Sequence, residues 1–154
     1  MLLKGLNHVA TITSDSARLH EFYTGVFDAE IVGDGSEFPD GAGPRLSTIK
    51  IGEWSALNVF EIEGNTEAER QTPMFGRGRI DHLALMAASL ESFEEIRDRL
   101  MERGAADDFV TDFGEILSIF FRDPDGLECE VCVENPDAAE GVSNPPGTRA
   151  ARYS

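Results

Sequence analysis

Apolar and polar positions along the chain follow two different periods, and the changes between them predict the elements of the first half. Residues 6–12 alternate as in a half-buried strand. A polar cap cluster at 14–16 follows, and apolar side chains then recur at helical spacing. Segments 46–51 and 56–62 have the pattern of two strands joined as a hairpin, whereas 33–44 is rich in Gly, Pro and Asp and is predicted to be a loop. The predicted helix face consists of Leu19, Phe22, Tyr23 and Val26.

The same succession of periods starts again after a polar stretch at 64–79. Residues 80–86, 116–122 and 127–133 are predicted strands, and 109–111 is a short one. The predicted helix of this half starts at a capping box formed by Ser92 and Glu95, buries Phe93, Ile96 and Leu100, and stops at Gly104. A tight turn is predicted at Asp123, Pro124, Asp125 and Gly126.

An internal repeat explains why the pattern restarts. A shift of 74 residues places His8 on His82 and Ala10 on Ala84, and it superimposes the apolar faces of the two predicted helices. Near the ends of the modules the offset falls to about 72, which a small loop difference explains. Each half therefore has the order strand, helix and about three strands. The predicted organisation is a first module at 1–63, a linker at 64–79, a second module at 80–134 and a poorly ordered tail at 135–154.

Helices on one side of a sheet leave its other face open, and chemistry-bearing residues of this chain map to that face. His8 and His82 lie opposite the side chains that suit packing under a helix. In the last predicted strand Leu127, Cys129, Val131 and Val133 form the apolar face, and Glu128, Glu130, Cys132 and Glu134 point the other way. Two histidines and at least one carboxylate can therefore face one concavity.

Two imidazoles and a carboxylate are a suitable donor set for Fe(II), Mn, Ni, Co or Zn. Three protein ligands leave coordination positions open for water or substrate, as catalysis requires. A single histidine on a strand is more often a hydrogen-bonded structural residue than a metal ligand. Glu130 taken alone is typical of a solvated carboxylate on a strand. The repeat-equivalent positions of His8 and His82 favour the metal site. His20 falls at a surface position of the first helix and is assigned no role.

Charge and composition narrow the classes of partner. The chain has 13 Lys and Arg against 29 Asp and Glu, a net charge of −16. This excludes an electrostatic nucleic-acid binder and disfavours an anionic membrane surface. No apolar run approaches the roughly 18 residues of a membrane helix, and the first residues have no signal-peptide pattern, so we expect a cytoplasmic protein.

The two cysteines match C-x-x-C but are predicted to have no redox or zinc-binding role. Cys129 and Cys132 lie in an alternating strand, where residues three apart face opposite ways. Redox pairs usually stand at a helix start, and a Cys-rich zinc site needs further thiols.

The chain resembles the vicinal oxygen chelate superfamily over about residues 5–134. This superfamily includes glyoxalase I, bleomycin-resistance proteins, extradiol dioxygenases, fosfomycin-resistance thiol transferases and methylmalonyl-CoA epimerase. The resemblance implies an α+β fold in which two tandem βαβββ modules form an open, mostly antiparallel, barrel-like sheet. It rests on Gly5-Leu6-Asn7-His8-Val9-Ala10, on Phe22-Tyr23 with Val26-Phe27-Asp28, on Ile80-Asp81-His82-Leu83-Ala84, and on residues 121–131, with the sequence FRDPDGLECEV.

By this resemblance His8, His82 and Glu130 match the metal ligands of the superfamily. Its fourth ligand position falls on Asn58, so the chain looks like the three-ligand members. Glu61 lies one strand face away and is a weak candidate, since a one-residue register error would exchange the faces. The resemblance does not indicate whether the ligands come from one chain or from two. It suggests a homodimer.

The resemblance leaves two classes of function open, because a fold does not determine chemistry. The favoured class is a metal-dependent enzyme that acts on a small organic molecule through vicinal oxygens, and the alternative is a drug-sequestering protein without catalysis. No catalytic base is identified, since Asn58 cannot serve. The additional His and Tyr donors that extradiol dioxygenases use beside their metal ligands are missing from this chain. The net charge disfavours an anionic substrate, although Arg45, Lys50 and Arg122 could reach a cavity. Core packing is favoured over a pocket lining for Trp54, Phe60, Phe120 and Phe121.

Overall fold

The computed structural model of the chain describes residues 2, 5–36, 44–66 and 80–138. The chain divides into two compact units, Met1–Arg70 and Gln71–Ser154. The predicted linker at 64–79 and tail at 135–154 lie largely outside the described residues, so these boundaries stay predictions.

The first unit contains one helix and a four-stranded sheet within the part that is described. Its elements are β1 (His8–Thr13), α1 (Ser16–Phe27), β2 (Glu30–Ser36), β3 (Arg45–Lys50) and β4 (Ala56–Glu61). The strand order is β1-β4-β3-β2. The pair β1 and β4 is parallel, and the other two pairs are antiparallel. The predicted hairpin of β3 and β4 is confirmed.

The second unit repeats this arrangement over residues 80–138. Its elements are β5 (Leu83–Met86), α2 (Leu90–Glu102), β6 (Thr111–Asp112), β7 (Ile116–Arg122) and β8 (Glu128–Glu134). The strand order β5-β8-β7-β6 and the single parallel pair match the first unit. The predicted α+β fold with tandem βαβββ modules is confirmed.

The two helices begin and end through different local interactions. The Asp15 side chain accepts a hydrogen bond from the Arg18 amide at the start of α1, and Asp28 ends that helix with φ +52°. The Ser89 side chain caps α2 by accepting from the Ser92 amide, so the predicted start at Ser92 is wrong by three residues. Gly104, with φ +65°, follows the end of α2 as predicted. Within the described residues, neither helix is long and apolar enough to cross a membrane.

Each helix buries its apolar stripe in its own unit, which leaves one face of the sheet for other roles. In the first unit the buried set is Leu19, Phe22, Tyr23, Val26, Ile49, Leu57 and Val59. In the second unit it includes Phe93, Leu100, Ile119, Phe121, Cys129, Val131 and Val133. Burial of each such side chain contributes about 2 kcal/mol before entropy is subtracted. The predicted helix faces are therefore confirmed, with Ile96 only half-buried.

Some local predictions are corrected by the structure. Residues 33–36 belong to β2 and are not loop; the pairing of β2 with β3 is irregular between Val32 and Ser36, and Gly33 has φ +71°. The short strand β6 starts two residues later than predicted. Trp54 is 62% exposed, so its predicted place in the core is wrong, whereas Phe121 is fully buried as predicted.

The predicted turn at 123–126 connects β7 to β8 and sets their register. The Asp123 carbonyl accepts from the Gly126 amide at 2.8 Å, and its carboxylate accepts from the Asp125 and Leu127 amides. Arg122 pairs with Glu128 immediately beyond the turn, and their side chains form an ion pair of 2.7 Å.

Candidate metal centre

Glu130 is the carboxylate of the predicted three-residue ligand set, and it lies on strand β8 between β5 and β7. Its backbone partners are Ala84 on β5 and Phe120 on β7. The residue is only 7% exposed, which is unusual for a glutamate and differs from the solvated position typical of such a strand. A carboxylate this buried needs polar or charged partners to offset the loss of hydration.

His82 supplies one of those partners from the residue just before β5. Its Nε2 lies 3.1 Å from Oε2 of Glu130, and its Nδ1 lies 2.9 Å from Oδ2 of Asp81. A neutral imidazole has one N–H and can donate to only one carboxylate. With the N–H on Asp81, a nitrogen lone pair faces the Glu130 oxygen, and this contact is favourable only with a proton or a cation between the two atoms.

Two further side chains hold the pair in place. The Ser118 hydroxyl on β7 donates to Oε1 of Glu130, so the two carboxylate oxygens have different roles. The Phe120 ring meets the His82 ring edge-on, with 5.8 Å between centroids and 76° between planes. The contacts of Ser118 and Phe120 were not predicted, because they depend on the register of β7 against β8. The contact of Asp81 with His82 was not predicted either. Asp81 had a sequence signal, since a polar residue precedes both repeat-equivalent histidines.

Cys132 lies on the same strand close to Glu130. Burial, followed by the neighbouring Glu130 charge, raises the pKa of the Cys132 thiol to about 12. The thiol therefore stays protonated at neutral pH and is a weak nucleophile. Both cysteines are free and buried.

The equivalent face of the first unit has a different chemistry. His8 at the start of β1 is exposed, and its Nδ1 lies 2.8 Å from Oδ1 of Asn7. Asn58 stands opposite Ala10, as Glu130 stands opposite Ala84, so the 72-residue offset holds in the strand pairing. The Asn58 side-chain oxygen accepts from the Thr48 hydroxyl at 3.2 Å.

Glu61, the weak candidate ligand, lies on the helix side of β4. Its Oε2 accepts from the backbone amide and the hydroxyl of Ser16, in the first turn of α1. The Ser16 hydroxyl and then the Ser16 amide lower the pKa of Glu61 below its ordinary value. The Glu61 carboxylate thus stabilises the start of α1, where the first turn has no acidic residue of its own.

The basic and aromatic candidates have mixed outcomes. Arg45 pairs with Glu61 at 3.4 Å, Lys50 with Glu30 at 2.8 Å, and Arg122 with Glu128. Phe60 and Phe120 are half-buried. His20, which was given no functional role, is half-buried, and its Nε2 lies 2.7 Å from the Ser47 hydroxyl.

The donor chemistry of His82 and Glu130 fits a divalent cation, since an imidazole nitrogen and a carboxylate oxygen are common ligands of such ions. In the described parts of the chain, no three His, Cys, Asp or Glu side chains are grouped so as to hold a metal ion. The second unit thus supplies two donors of the predicted three, and His8 belongs to the first unit.

Comparisons with known proteins agree with the fold. The sequence model of the glyoxalase/bleomycin resistance protein/dioxygenase superfamily matches residues 5–131. Among curated proteins, no match reaches significance.

Solved structures with the same fold include a glyoxylase/bleomycin resistance protein/dioxygenase domain from Frankia sp. EAN1pec, with 21% identity, a TM-score of 0.69, and coverage of 87% of this chain and 94% of that one. A glyoxalase family protein from Enterococcus faecalis has 25% identity and a TM-score of 0.63, covering 86% and 99%. The fosfomycin resistance protein FosX from Listeria monocytogenes, in complex with Mn(II) and sulfate, has 18% identity and a TM-score of 0.58, covering 89% and 98%.

Proposed function

Because the chain belongs to the glyoxalase/bleomycin resistance protein/dioxygenase superfamily, we propose that it is a divalent-metal-dependent enzyme. It acts on a small organic molecule that presents two neighbouring oxygen atoms. His8, His82 and Glu130 hold the metal ion, whose identity among Fe(II), Mn, Ni, Co and Zn is open. The structure of FosX with Mn(II) supports a divalent metal in this superfamily.

The contact between His82 and Glu130 is the observation that carries the proposal. Nε2 and Oε2 lie 3.1 Å apart, and with the ring proton on Nδ1, 2.9 Å from Oδ2 of Asp81, the Nε2 lone pair faces the carboxylate. A buried carboxylate that faces an imidazole lone pair is the electrostatic arrangement that a cation stabilises.

A bound divalent ion would supply Lewis-acid stabilisation of an oxyanion on a chelated substrate. The side chains of this unit prepare that position. The Ser118 hydroxyl holds Oε1 of Glu130 and leaves Oε2 on the His82 side. The Phe120 ring limits rotation of the imidazole and covers one edge of it. Three protein ligands would leave coordination positions for the two oxygens of the substrate.

His8 enters the proposal through the repeat, since it occupies the position of His82 in the first unit and is exposed on β1. We propose that it completes the ligand set of its own chain or of a second copy in a homodimer. The two free cysteines are compatible with a reducing, cytoplasmic compartment, which is part of the same proposal.

The test is the metal content of the untagged protein, before and after reloading with Fe(II), Mn, Ni, Co and Zn. We expect close to one ion per chain, with that content lost in His82→Ala, Glu130→Ala and His8→Ala. His20→Ala is the matched control, because it removes the remaining histidine and leaves the candidate ligands unchanged. Circular dichroism of each variant separates loss of the ions from loss of the fold.

Absence of metal under every loading condition would contradict the proposal. The function would then be assigned to the non-catalytic alternative, a protein that sequesters a small molecule. Retention of a full equivalent of metal by His82→Ala would instead contradict the ligand assignment. With the metal identified, substrates that carry neighbouring oxygens can be screened with the correctly loaded protein.

A further inference from the structure

Both candidate histidine ligands are held in the same way by the residue that precedes them. Nδ1 of His8 lies 2.8 Å from the Asn7 side-chain oxygen, and Nδ1 of His82 lies 2.9 Å from the Asp81 carboxylate. Both oxygens are acceptors, so each can take the proton of an Nδ1–H, while Nε2 of His82 faces a second acceptor, Oε2 of Glu130. The two acceptors are related by the same 74-residue offset as the histidines.

We propose that Asn7 and Asp81 are positioning residues that fix each imidazole in the Nδ1–H form and leave Nε2 available for a metal ion. This inference rests on the proposed function. In proteins a metal-binding histidine commonly donates its second N–H to a carboxylate or an amide oxygen, which orients the ring and raises the basicity of the ligating nitrogen. The residue that provides the acceptor is adjacent in sequence, so the arrangement is local to each strand start.

His20 shows that this pairing is not a general property of histidine in the chain. It follows the buried Leu19, which has no polar atom in its side chain, and it uses Nε2 to contact the Ser47 hydroxyl. The histidine outside the predicted ligand set therefore has no acceptor in the side chain before it, and it provides an internal reference.

The two positioning residues differ in charge, which makes them distinguishable. Asp81 presents a carboxylate and Asn7 a neutral amide, so Asp81 strengthens the donor character of His82 more than Asn7 strengthens that of His8. Replacing Asp81 by Asn reproduces the arrangement of the first unit, and replacing it by Ala removes the acceptor. The Asp81 side chain is 29% exposed, so these substitutions leave the buried core unchanged.

The first part of the experiment reads the proton positions in the metal-free protein. Long-range ¹H–¹⁵N correlation at pH 8 resolves the imidazoles of a chain that has only three histidines. We expect a protonated Nδ1 for His8 and His82 in the wild type and in Asp81→Asn. In Asp81→Ala the His82 proton moves to Nε2, where Glu130 is the remaining acceptor. Signals of His20 stay unchanged, and so does the unfolding temperature.

The second part measures metal affinity by competition with a chromophoric chelator, using the divalent ion found in the metal analysis. Asp81→Ala should weaken binding about 10- to 100-fold, the usual effect of losing such an outer partner. Asp81→Asn should lose less, because it keeps the acceptor. Asn7→Ala should weaken binding less than Asp81→Ala, since it removes a neutral acceptor.

The outcomes separate this inference from the proposed function. If the wild type binds metal and Asp81→Ala keeps both its affinity and its Nδ1–H signal, the positioning role is wrong and the metal site stands. If the wild type binds no metal at any loading, the proposed function fails, and the positions of the protons in the apo protein still report on the hydrogen bonds. Equal losses in Asp81→Asn and Asp81→Ala would show that charge, and not the acceptor geometry, controls affinity, and would overturn the tautomer assignment.

Discussion

The two units share a backbone plan and differ in the chemistry of the open face. Ala10 pairs with Asn58 in the first unit, and Ala84 pairs with Glu130 at the same register in the second. Asn58 is held by a threonine hydroxyl, whereas Glu130 is buried with an imidazole against it. The comparison shows that strand order and register are kept while the side chain at this position is a carboxylate in one unit and an amide in the other.

On the helix side of the sheets it is the first unit that has a carboxylate and the second unit that lacks one at the matching position. The first unit places Glu61 at the end of β4, against the first turn of α1, and the second unit has the buried Val133 at the equivalent point. The helix α2 carries Glu91 in its own first turn. The first turn of α1 thus receives a carboxylate from a strand in addition to its Asp15 cap, whereas α2 carries one within its own first turn.

The largest effect that would distinguish the units is in their cores. Phe93 and Leu19 are repeat-equivalent and fully buried, but the aromatic side chain leaves the larger cavity. We expect Phe93→Ala to lower the free energy of unfolding by about 3–5 kcal/mol, and Leu19→Ala to lower it by about 2–5 kcal/mol. Urea titration followed by circular dichroism measures both. A smaller loss for Phe93→Ala than for Leu19→Ala would contradict this ranking of the cavities.

Much of this framework was predictable, because the periods of two and of about 3.6 residues are carried by apolar residues that do become buried. The strand β2 was missed because Gly33, Asp34 and Gly35 have the composition of a loop, although the backbone there pairs with β3 through irregular steps. The start of α2 was misplaced because both Ser89 and Ser92 are suitable caps, and only the folded chain selects Ser89.

The site was predictable to a smaller extent. The adjacency of His82 and Glu130 was expected from the open face and from the family resemblance, and the structure brings these two side chains together. The role of Ser118 could not be predicted, since it depends on how β7 is shifted against β8 and on the rotamer of Glu130. The burial of Glu130 was likewise not expected from an alternating strand with acidic neighbours.

The ends of the helices offer a second test of how far the units are equivalent. Gly104 has φ +65°, and a Cβ built there meets no atom within 4 Å, so backbone strain is the sole cost of a side chain. We expect Gly104→Ala to lower the free energy of unfolding by about 1–2 kcal/mol. Asp28, with φ +52°, already bears this strain, so Asp28→Gly should be neutral or stabilising. Thermal unfolding of both variants checks the opposite signs.

A third test uses the pH dependence of Glu61, whose position is taken by Val133 in the second unit. The pKa of Glu61 is lowered in the folded state, so its contribution is complete above the ordinary value of 4.5 and is lost as the pH falls through the lower folded pKa. We expect Glu61→Gln to cost about 1 kcal/mol at pH 7, the difference between a charge-assisted and a neutral hydrogen bond. The wild type and the variant should converge in urea titrations once the pH lies below the lowered folded pKa of Glu61. A gap that persists there would assign the effect to shape and not to charge.

The smallest expected effect concerns Asn58, which stands in the first unit at the position of Glu130 in the second. Asn58→Ala should leave the metal content of the protein unchanged, because the amide is hydrogen-bonded to Thr48 and is not among the proposed ligands. Glu130→Ala, at the matching register, is the comparison. Loss of metal in Asn58→Ala with intact circular dichroism would show that the units contribute more equally than the charge difference indicates.

The turn at 123–126 gives chain length a direct control over the candidate site. One additional residue between Arg122 and Glu128, taken up as a slip of β8 against β5 and β7 and not as a longer turn, would exchange the two faces of β8 and turn Glu130 toward α2. Two additional residues would restore the face but displace the carboxylate by about 7 Å along the strand, out of reach of His82. Slips of β8 by one or two residues are therefore incompatible with the His82–Glu130 contact. The hydrogen bonds of Asp123 keep this turn at its length.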